Sequence, residues 1–413
     1  MRRVILSLLV ALSVEATAQL TPSQYREEVR EYSWSLKNAE TKVEYYDERV
    51  AYERVSLLPT LSMSGRFSSS FREGVNGAKR WGVAAEPQII QTLYSGGVNR
   101  ANIAQAELYS DVARCDADYT QLEVNYAADY AYWNLWAMNR YYDAQLQYVE
   151  IIGEELRVIE RRYDEGYISK GDLLMIEARL SEAEYSLTSA EQSRQTAQNN
   201  LNVLRGVDPS VEVSLSDIRP DSMSLPLRAT IEEVIMRRPD YEALRLTELA
   251  AEAATKAVRG VYNPQLYGGV SGSWRSNTPN YTGSTTIDGA VFVELSVPIF
   301  HFGERRKAVA ASRKSEQISA INSSILLDSI TGDESNAWVS VVESRAQMSA
   351  AARSLQIASE NLDISTYSYN EGEVSIVELL TAQISWIQIY TNAIDSEYRY
   401  QIALAYYGFV AAQ

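Results

Sequence analysis

The 413-residue sequence predicts a mainly α-helical protein that contains four β-strands and consists of two copies of one structural unit. Three observations predict this fold class. Motifs return about 206 residues later in the chain, the helical stretches are longer than a globular domain needs, and each half contains two neighbouring strand-like segments. Each half therefore has the order helix, strand, strand, long helix, turn and helix.

The repeat is clearest at a turn that occurs once in each half. Tyr163 and Tyr369 each begin a Tyr-x-x-Gly sequence, and each sequence is followed by an acidic residue and two leucines. A period close to half the chain length indicates one large unit that is used twice. Three pairs of segments correspond in this way: 163–174 with 369–380, 93–97 with 299–303, and 58–61 with 263–266.

The N-terminus has the pattern of a secretory signal peptide. Two arginines precede an apolar run, and Ala16-Thr17-Ala18 supplies small residues before Gln19. We predict that residues 1–18 are removed on export, and because Gln19 rather than a cysteine stands at the cleavage site we expect no lipid anchor. The mature chain is predicted to contain a first repeat at 19–206, a proline-containing linker at 207–227 and a second repeat at 228–413.

The composition argues against several functional classes. A formal net charge of −16 argues against a nucleic-acid-binding protein, which needs a concentrated basic patch. The only histidine, His301, is far in sequence from the only cysteine, Cys115, and this argues against a metal site. The sequence lacks a His-Glu-x-x-His motif, a phosphate-binding loop and a Gly-x-Ser-x-Gly motif. We therefore expect no enzymatic activity, no catalytic residues, no bound metal and no cofactor.

Long helices dominate both halves. In the first half, the capping box Thr21-Pro22-Ser23-Gln24 predicts a helix that runs to about Ser56. The proline-free stretch from Gly97 to about Glu165 predicts a helical path of about 100 Å, which we interpret as two helices in line. The second half repeats this plan, because a capping box at Thr230 opens a helix that includes Arg238-Pro239-Asp240.

Four segments are predicted as strands: 57–71, 81–94, 264–275 and 287–300. They are about 12 to 15 residues long, somewhat more than a strand needs to cross a bilayer at a tilt. In the last segment Val291, Val293 and Leu295 alternate with other residues, as lipid-facing and lumen-facing positions do. Aromatic residues near the strand ends predict a membrane girdle, which consists of Trp81, Tyr94, Tyr267, Trp274 and Phe300.

Four strands are too few to close a barrel, and an open four-stranded sheet leaves both edges unpaired. Three copies of the chain supply about twelve strands, which is enough to close a barrel around a passage. We therefore predict a trimeric membrane barrel. Two alternatives remain: a water-soluble β-subdomain that caps a coiled coil, and a solid coiled-coil bundle, which does not account for the paired strands.

Taken together, these motifs resemble the TolC-like outer membrane efflux proteins, the exit ducts of Gram-negative export machines. The resemblance covers nearly the whole mature chain and rests on the two Tyr-x-x-Gly turns, the Arg-Pro-Asp sequence at Arg238 and the two strand-to-helix junctions. It implies a homotrimer whose twelve-stranded barrel lies in the outer membrane, in contact with its lipid, and continues into a long periplasmic α-helical coiled-coil barrel. It also implies a passive conduit that serves an inner-membrane RND, ABC or MFS transporter.

The resemblance also implies that a periplasmic adaptor docks on the tips of two helix-turn-helix hairpins. In this chain the tips are the turns near 166–171 and 372–377. The glycines of these turns have a simpler explanation as well, since glycine permits a positive φ where a chain reverses. The residues that correspond to the adaptor-docking tips are Gly166, Ser169, Lys170, Gly372 and Ser375.

The tunnel gate is also assigned by resemblance. In related ducts a tyrosine and an arginine of the second hairpin meet an aspartate of the first, and the matching positions here are Tyr369, Val374 and Asp172. The arginine is therefore missing. An acidic ring at the mouth is matched by Glu378, whereas Thr381 occupies the other acidic position. An exposed carboxylate near a helix start can equally serve only to complement the helix dipole.

The sequence thus predicts an outer membrane exit duct that extends into the periplasm and belongs to a tripartite efflux or type I secretion system. The alternative is a soluble periplasmic coiled-coil scaffold or adaptor protein. The transported substrate cannot be inferred from the residues.

Overall fold

A computed structural model describes residues 19–69, 81–216, 225–276 and 285–413. The predicted signal peptide and residues 217–224 of the predicted linker lie outside these ranges. The helices of the described ranges are α1 (Pro22–Tyr32), α2 (Trp34–Val55), α3 (Val98–Asp164), α4 (Lys170–Leu204), α5 (Ile231–Arg237), α6 (Pro239–Gly260), α7 (Glu304–Asn370) and α8 (Ile376–Val410). The strands are β1 (Thr60–Ser69), β2 (Trp81–Tyr94), β3 (Gln265–Arg275) and β4 (Thr286–Ser296).

The first helix of each half is interrupted, so the prediction of one continuous helix was wrong in both halves. The first break is at Ser33, whose φ of −48° and ψ of 117° are not helical and whose hydroxyl accepts the Leu36 N–H at 3.3 Å. The second break is at Arg238, which is held in an extended conformation because Pro239 disfavours helical geometry at the preceding residue. Pro239 then opens α6 at its first position.

The long helices α3 and α7 each contain 67 residues. Helix α3 is continuous, so the prediction of two helices in line was wrong. Its interior glycine, Gly153, disfavours the helix by only about 1 kcal/mol relative to alanine, which is too little to break it. Helices α4 and α8 each contain 35 residues and follow the two predicted turns.

The chain divides into two compact units. The first combines the described residues of Met1–Leu36 with Gln121–Arg237 and Thr331–Gln413, and the second combines Lys37–Thr120 with Arg238–Ile330. The first unit contains both helical turns and a buried apolar cluster beside them, here called the tip core, which includes Ile159, Ile176, Tyr369, Ile376 and Leu379. The second unit contains the sheet.

The sheet is antiparallel throughout, with the strand order β1-β2-β3-β4. Because β2 pairs with β3, the strands of the two halves form one sheet. In the described part of one chain, β1 and β4 are therefore edge strands, and each has one side without a strand partner. Across the described ranges, no helix combines the length and the apolar character that a membrane-spanning helix needs.

Candidate functional site

The register of the sheet separates charge from apolar surface. Because paired residues and residues two positions apart lie on the same face, each side chain can be assigned to one of two faces. All the charged residues of the described strands fall on one face, and on this charged face Arg275 contacts Glu86 with an N–O distance of 3.2 Å. They are Arg66, Glu86, Arg275, Asp288 and Glu294.

The opposite face is apolar and exposed in the single chain. Seven of its side chains are between 63% and 81% exposed: Leu61, Met63, Phe67, Ile287, Val291, Val293 and Leu295. A soluble monomer rarely exposes so continuous an apolar surface. Two large apolar residues, Ile90 and Phe292, lie on the charged face on either side of Gly269, and the Phe292 ring covers the space above this glycine.

Three of the predicted girdle residues share the apolar face. Trp81 and Trp274 lie towards one end of the sheet, and Tyr94 lies at the other end, opposite Leu266. Leu266 and Trp274 are eight positions apart, so the two levels are separated by about 26 Å along the strand. This separation resembles the height of the apolar band of outer membrane barrels, which is about 25 Å.

The structure does not group Tyr267 with these three residues. Tyr267 is seven positions from Trp274, so it projects from the charged face, where it pairs with Glu294 and its hydroxyl donates to Gln265 Oε1. The register therefore separates Tyr267 from the three girdle residues of the apolar face. Phe300 is exposed and lies beyond the end of β4, with its ring 4.7 Å from that of Phe302.

The two helical turns have the same backbone geometry. Gly166 follows α3 with a φ of +82°, and Gly372 follows α7 with a φ of +78°, values that favour glycine. Each glycine ends its helix in a Schellman motif, in which an N–H beyond the helix donates back to a carbonyl five positions earlier. These hydrogen bonds are from Tyr167 to Arg162 and from Glu373 to Ser368, both 2.8 Å long.

The helices that leave the two turns begin with capping boxes. At α4 the Ser169 hydroxyl accepts the Asp172 N–H, and the Asp172 carboxylate accepts the Ser169 N–H, both at 3.2 Å. At α8 the same two bonds join Ser375 and Glu378 at 3.3 and 3.4 Å. Each box satisfies two N–H groups that a helix start leaves unpaired. Thus the structure brings Ser169 together with Asp172, and Ser375 together with Glu378.

One arginine joins the two hairpins near their turns. Arg162 lies in the last turn of α3, and its Nη2 donates to the carbonyl of Asn370 at 3.1 Å, while Nη1 is 3.5 Å from the carbonyl of Tyr369. Its guanidinium carbon is 5.2 Å from the centre of the Tyr369 ring. These carbonyls are at the C-terminus of α7, where a cation is favoured by the helix dipole.

Tyr369 is the buried centre of this group of residues. Burial raises the pKa of its phenol above the usual value, the Arg162 guanidinium opposes that shift, and the Glu155 and Asp172 carboxylates add to it. Burial also raises the pKa of Glu155, an effect that Arg162 again opposes. These influences indicate that Arg162, Glu155, Asp172 and Tyr369 lie within electrostatic range of one another.

The other predicted gate residues lie at the two turns: Val374 precedes α8, Glu378 and Thr381 lie in its first two turns, and Asp172 lies in the first turn of α4. Val374 is half-buried and packs against the tip core. Glu378 and Thr381 are exposed and three positions apart, so they lie on one face of the helix. The Thr381 hydroxyl donates to the Val377 carbonyl at 2.7 Å. Asp172 is near Tyr369, but its carboxylate is bound in the Ser169 capping box.

The residues predicted to dock an adaptor are accessible on one chain. Gly166, Ser169, Lys170, Gly372 and Ser375 are all exposed. Lys170 Nζ lies 5.4 Å from the centre of the Tyr163 ring. In the first turn, Tyr167 is 78% exposed and adds an aromatic surface.

The sequence analysis did not identify Arg162. A signal was present, since two arginines precede Tyr163 and basic residues favour helix C-termini. That signal does not say which arginine faces the other hairpin. Arg161 donates to the carbonyl of Arg157 in its own helix at 3.3 Å, whereas Arg162 reaches α7. In the described ranges, no cluster of three or more histidine, cysteine or acidic residues could hold a metal ion.

Comparison with known proteins agrees with this architecture. The family model described as outer membrane efflux protein matches the chain twice, at residues 26–207 and 230–406. The chain belongs to the outer membrane efflux protein family. It is an efflux channel protein of the outer membrane, and the family is one of channels rather than enzymes. Neither the fold nor the relatives favour the soluble scaffold or adaptor that the sequence left open.

Individual relatives are distant but similar over most of their length. The outer membrane efflux protein BepC of Brucella suis is 22% identical over 373 residues, which are 89% of this chain and 80% of BepC. The crystal structure of CusC has a TM-score of 0.83 at 16% identity and covers 94% of this chain and 91% of its own. The outer membrane protein VceC of Vibrio cholerae has a TM-score of 0.80 at 16% identity, with 94% and 95% coverage.

Proposed function

We propose that three copies of this channel protein assemble into a passive exit duct of a tripartite efflux or type I secretion system. The observation that carries the proposal is the sheet, whose charged residues share one face while the other face is apolar and exposed. In a closed barrel the apolar face contacts lipid and the charged face lines a water-filled passage.

The edge strands support a homotrimer. A spanning sheet in lipid must be closed, because an unpaired backbone edge in hydrocarbon is costly. One chain supplies four strands, and pairing of β1 with β4 of a neighbouring copy would close a twelve-stranded barrel with three-fold symmetry. The two matches to the family model, at 26–207 and 230–406, likewise support repeats at 19–206 and 228–413, joined by 207–227. We also propose that residues 1–18 are removed as a signal peptide, because two arginines precede an apolar run that ends in small residues.

The helical turns supply the proposed gate and docking surface. The gate comprises Asp172, Tyr369, Val374, Glu378 and Thr381, and Glu378 forms a three-fold acidic ring that favours cations. A periplasmic adaptor docks on the exposed tips at Gly166, Ser169, Lys170, Gly372 and Ser375. An inner-membrane RND, ABC or MFS transporter supplies the energy, so the duct needs no cofactor and catalyses no reaction.

A pair of neighbouring substitutions tests the lipid-facing assignment. Val291 lies on the apolar face and Ala290 on the charged face, and both are exposed. An arginine facing lipid at mid-depth costs about 2–4 kcal/mol, and the trimer would contain three. We expect Val291→Arg to abolish the heat-sensitive trimer band of unboiled outer membrane samples in SDS–PAGE, whereas Ala290→Arg keeps the band.

The wild-type protein should fractionate with the outer membrane and conduct ions in planar bilayers. Recovery of the wild type in the soluble fraction would contradict the proposal. Equal assembly of Val291→Arg and Ala290→Arg would contradict the assignment of the two faces.

A further inference from the structure

The contact between Arg162 and the end of α7 joins the two hairpins next to the proposed gate. We propose that Arg162 is a positioning residue that holds the second tip against the first and so favours the non-conducting arrangement of the gate. This inference rests on the proposed function, because it assigns the regulation of the same site.

The chemistry of the contact suits a clamp. The terminal carbonyls of a helix have no partners within the helix, and the negative end of the helix dipole lies there. A guanidinium presents several donors in a rigid plane, so it can bind two neighbouring carbonyls and stack on a ring at the same time. Arg162 does this with the carbonyls of Asn370 and Tyr369 and with the Tyr369 ring.

The clamp acts in one direction only. Ser368 occupies the position of the second half that corresponds to Arg162, and its side chain carries no positive charge and cannot span the same distance. The second turn is therefore held by the guanidinium of the first hairpin, and Ser368 provides no equivalent guanidinium contact to the first turn. This arrangement places a positive charge beside Tyr369 even though position 374 is a valine.

The surroundings of Arg162 favour its orientation. Glu155 lies two turns earlier on α3 and is buried, and its carboxylate is electrostatically coupled to Arg162. The Tyr369 ring is packed in the tip core, so it provides a fixed surface for the guanidinium. Movement of the second tip away from α3 would separate the guanidinium from both the carbonyls and the ring.

The chain offers a matched control for the test. Arg161→Gln removes the same charge from the neighbouring position, but Arg161 donates to the carbonyl of Arg157 within its own helix. Arg162→Lys keeps the charge and loses the planar set of donors. Single channels of the wild-type trimer and of Arg161→Gln, Arg162→Gln and Arg162→Lys would be recorded in planar bilayers, with assembly checked by unboiled SDS–PAGE.

We expect the conducting fraction of time to rise about tenfold in Arg162→Gln, since loss of a charge-assisted contact changes an equilibrium on this scale. Arg162→Lys should give a smaller rise, and Arg161→Gln should match the wild type. An assembled Arg162→Gln trimer that conducts like the wild type, or an equal rise in Arg161→Gln, would overturn the proposal. If Arg162→Gln does not assemble, Arg162→Lys decides. A conducting fraction equal to that of the wild type overturns the proposal, and a higher conducting fraction supports it. If neither the wild type nor Arg162→Gln conducts at all, the proposed function itself is refuted.

Discussion

The first tip, around Gly166, and the second tip, around Gly372, share a backbone design but differ in the side chains that they bury. Both have a glycine with positive φ, a Schellman motif and a capping box. At the first position of the following helix, however, Lys170 is exposed, whereas its counterpart Ile376 is 6% exposed in the tip core. The duplicated sequence therefore keeps the turn, and the side chains give each copy a separate environment.

The same difference continues along the helices that follow. Leu174 on α4 is 52% exposed, and its counterpart Leu380 on α8 is 7% exposed. Helix α8 is thus packed inside the unit at positions where α4 presents its surface. Together with the contact of Arg162, this pattern supports our proposal that the second tip is held as part of the gate.

Substitutions at the first residues of α4 and α8 should give the largest difference in stability between the two tips. We expect Ile376→Lys to lower the free energy of unfolding of the second turn by about 3 kcal/mol, because it removes a buried side chain and brings a charge to the tip core. Lys170→Ile should change the first turn by less than about 1 kcal/mol, the contribution of an exposed cation–π contact. Hydrogen exchange of the turn amides measures both values.

Ile376→Val is the control for Ile376→Lys, with an expected loss of about 1 kcal/mol. Equal losses in Ile376→Lys and Lys170→Ile would show that the two tips are equivalent, contrary to the difference in burial.

Substitution of the two turn glycines should destabilise both tips equally, because the two turns share the same backbone conformation. At both Gly166 and Gly372 an added Cβ would meet no atom within 4 Å, so only the positive φ is unfavourable. We expect Gly166→Ala and Gly372→Ala to destabilise their turns equally, by about 1–2 kcal/mol each. Gly153→Ala, which is also open but helical, should stabilise α3 by about 0.5–1 kcal/mol. Clearly unequal losses at the two turns would contradict a common backbone design.

Glu155 places a buried carboxylate near the turn of the first hairpin, at a position where the second hairpin has Asn361. The pKa of Glu155 is raised by burial, so the folded chain favours its protonated form. The contribution of Glu155 to the free energy of unfolding is therefore fully present below the usual pKa of 4.5. It is lost as the pH rises through the raised pKa of the folded chain. We expect the protection factors of the amides at the end of α3, which correct for the base-catalysed intrinsic exchange rate, to fall over this rise in pH and Glu155→Gln to reduce the fall. Exposed Glu154 provides the control, since Glu154→Gln should behave like the wild type. A wild type without any such pH dependence would count against this role of Glu155.

The smallest expected effect concerns the acidic ring. Glu378 is exposed at the second tip, and we expect Glu378→Gln to lower the cation preference of the channel by about twofold at low salt. Asp172→Asn should have a smaller effect, because the Asp172 carboxylate accepts both the N–H and the hydroxyl of Ser169, whereas the Glu378 carboxylate accepts the N–H of Ser375. Reversal potentials in a salt gradient measure both variants, and the effect should vanish near 1 M salt, where the Debye length is about 3 Å. An unchanged preference in Glu378→Gln would leave Glu378 as a partner of the helix dipole only.

Much of this architecture could be predicted from the sequence because the same motifs occur in both halves of the chain. The two turns and the strand segments follow from the repeat and from local residue patterns such as Val291, Val293 and Leu295. The opposite faces of Tyr267 and Trp274 could also have been derived, since seven positions is an odd number. The shared face of Trp81 and Tyr94 could not, because it depends on a register shift between Thr92 and Tyr94.

The helix breaks and the clamp show a different limit. Arg238 precedes a proline, so its break was accessible to the sequence, whereas the break at Ser33 has no comparable local signal. The two carbonyl partners of Arg162, on Tyr369 and Asn370, lie 207 and 208 positions away in the chain. Only the packing of α3 against α7 brings them close to the guanidinium. Contacts of this kind depend on tertiary structure, which residue patterns within one helix do not specify.

The central claim is that the first hairpin holds the second through Arg162 while their backbones remain equivalent. Hydrogen exchange across both turns, compared between the wild-type trimer and Arg162→Gln, tests this claim most directly. We predict that exchange of the amides at 370–375 accelerates about tenfold, while exchange at 165–169 stays within about twofold of the wild type. Equal acceleration at both turns, or no acceleration at the second, would contradict the account.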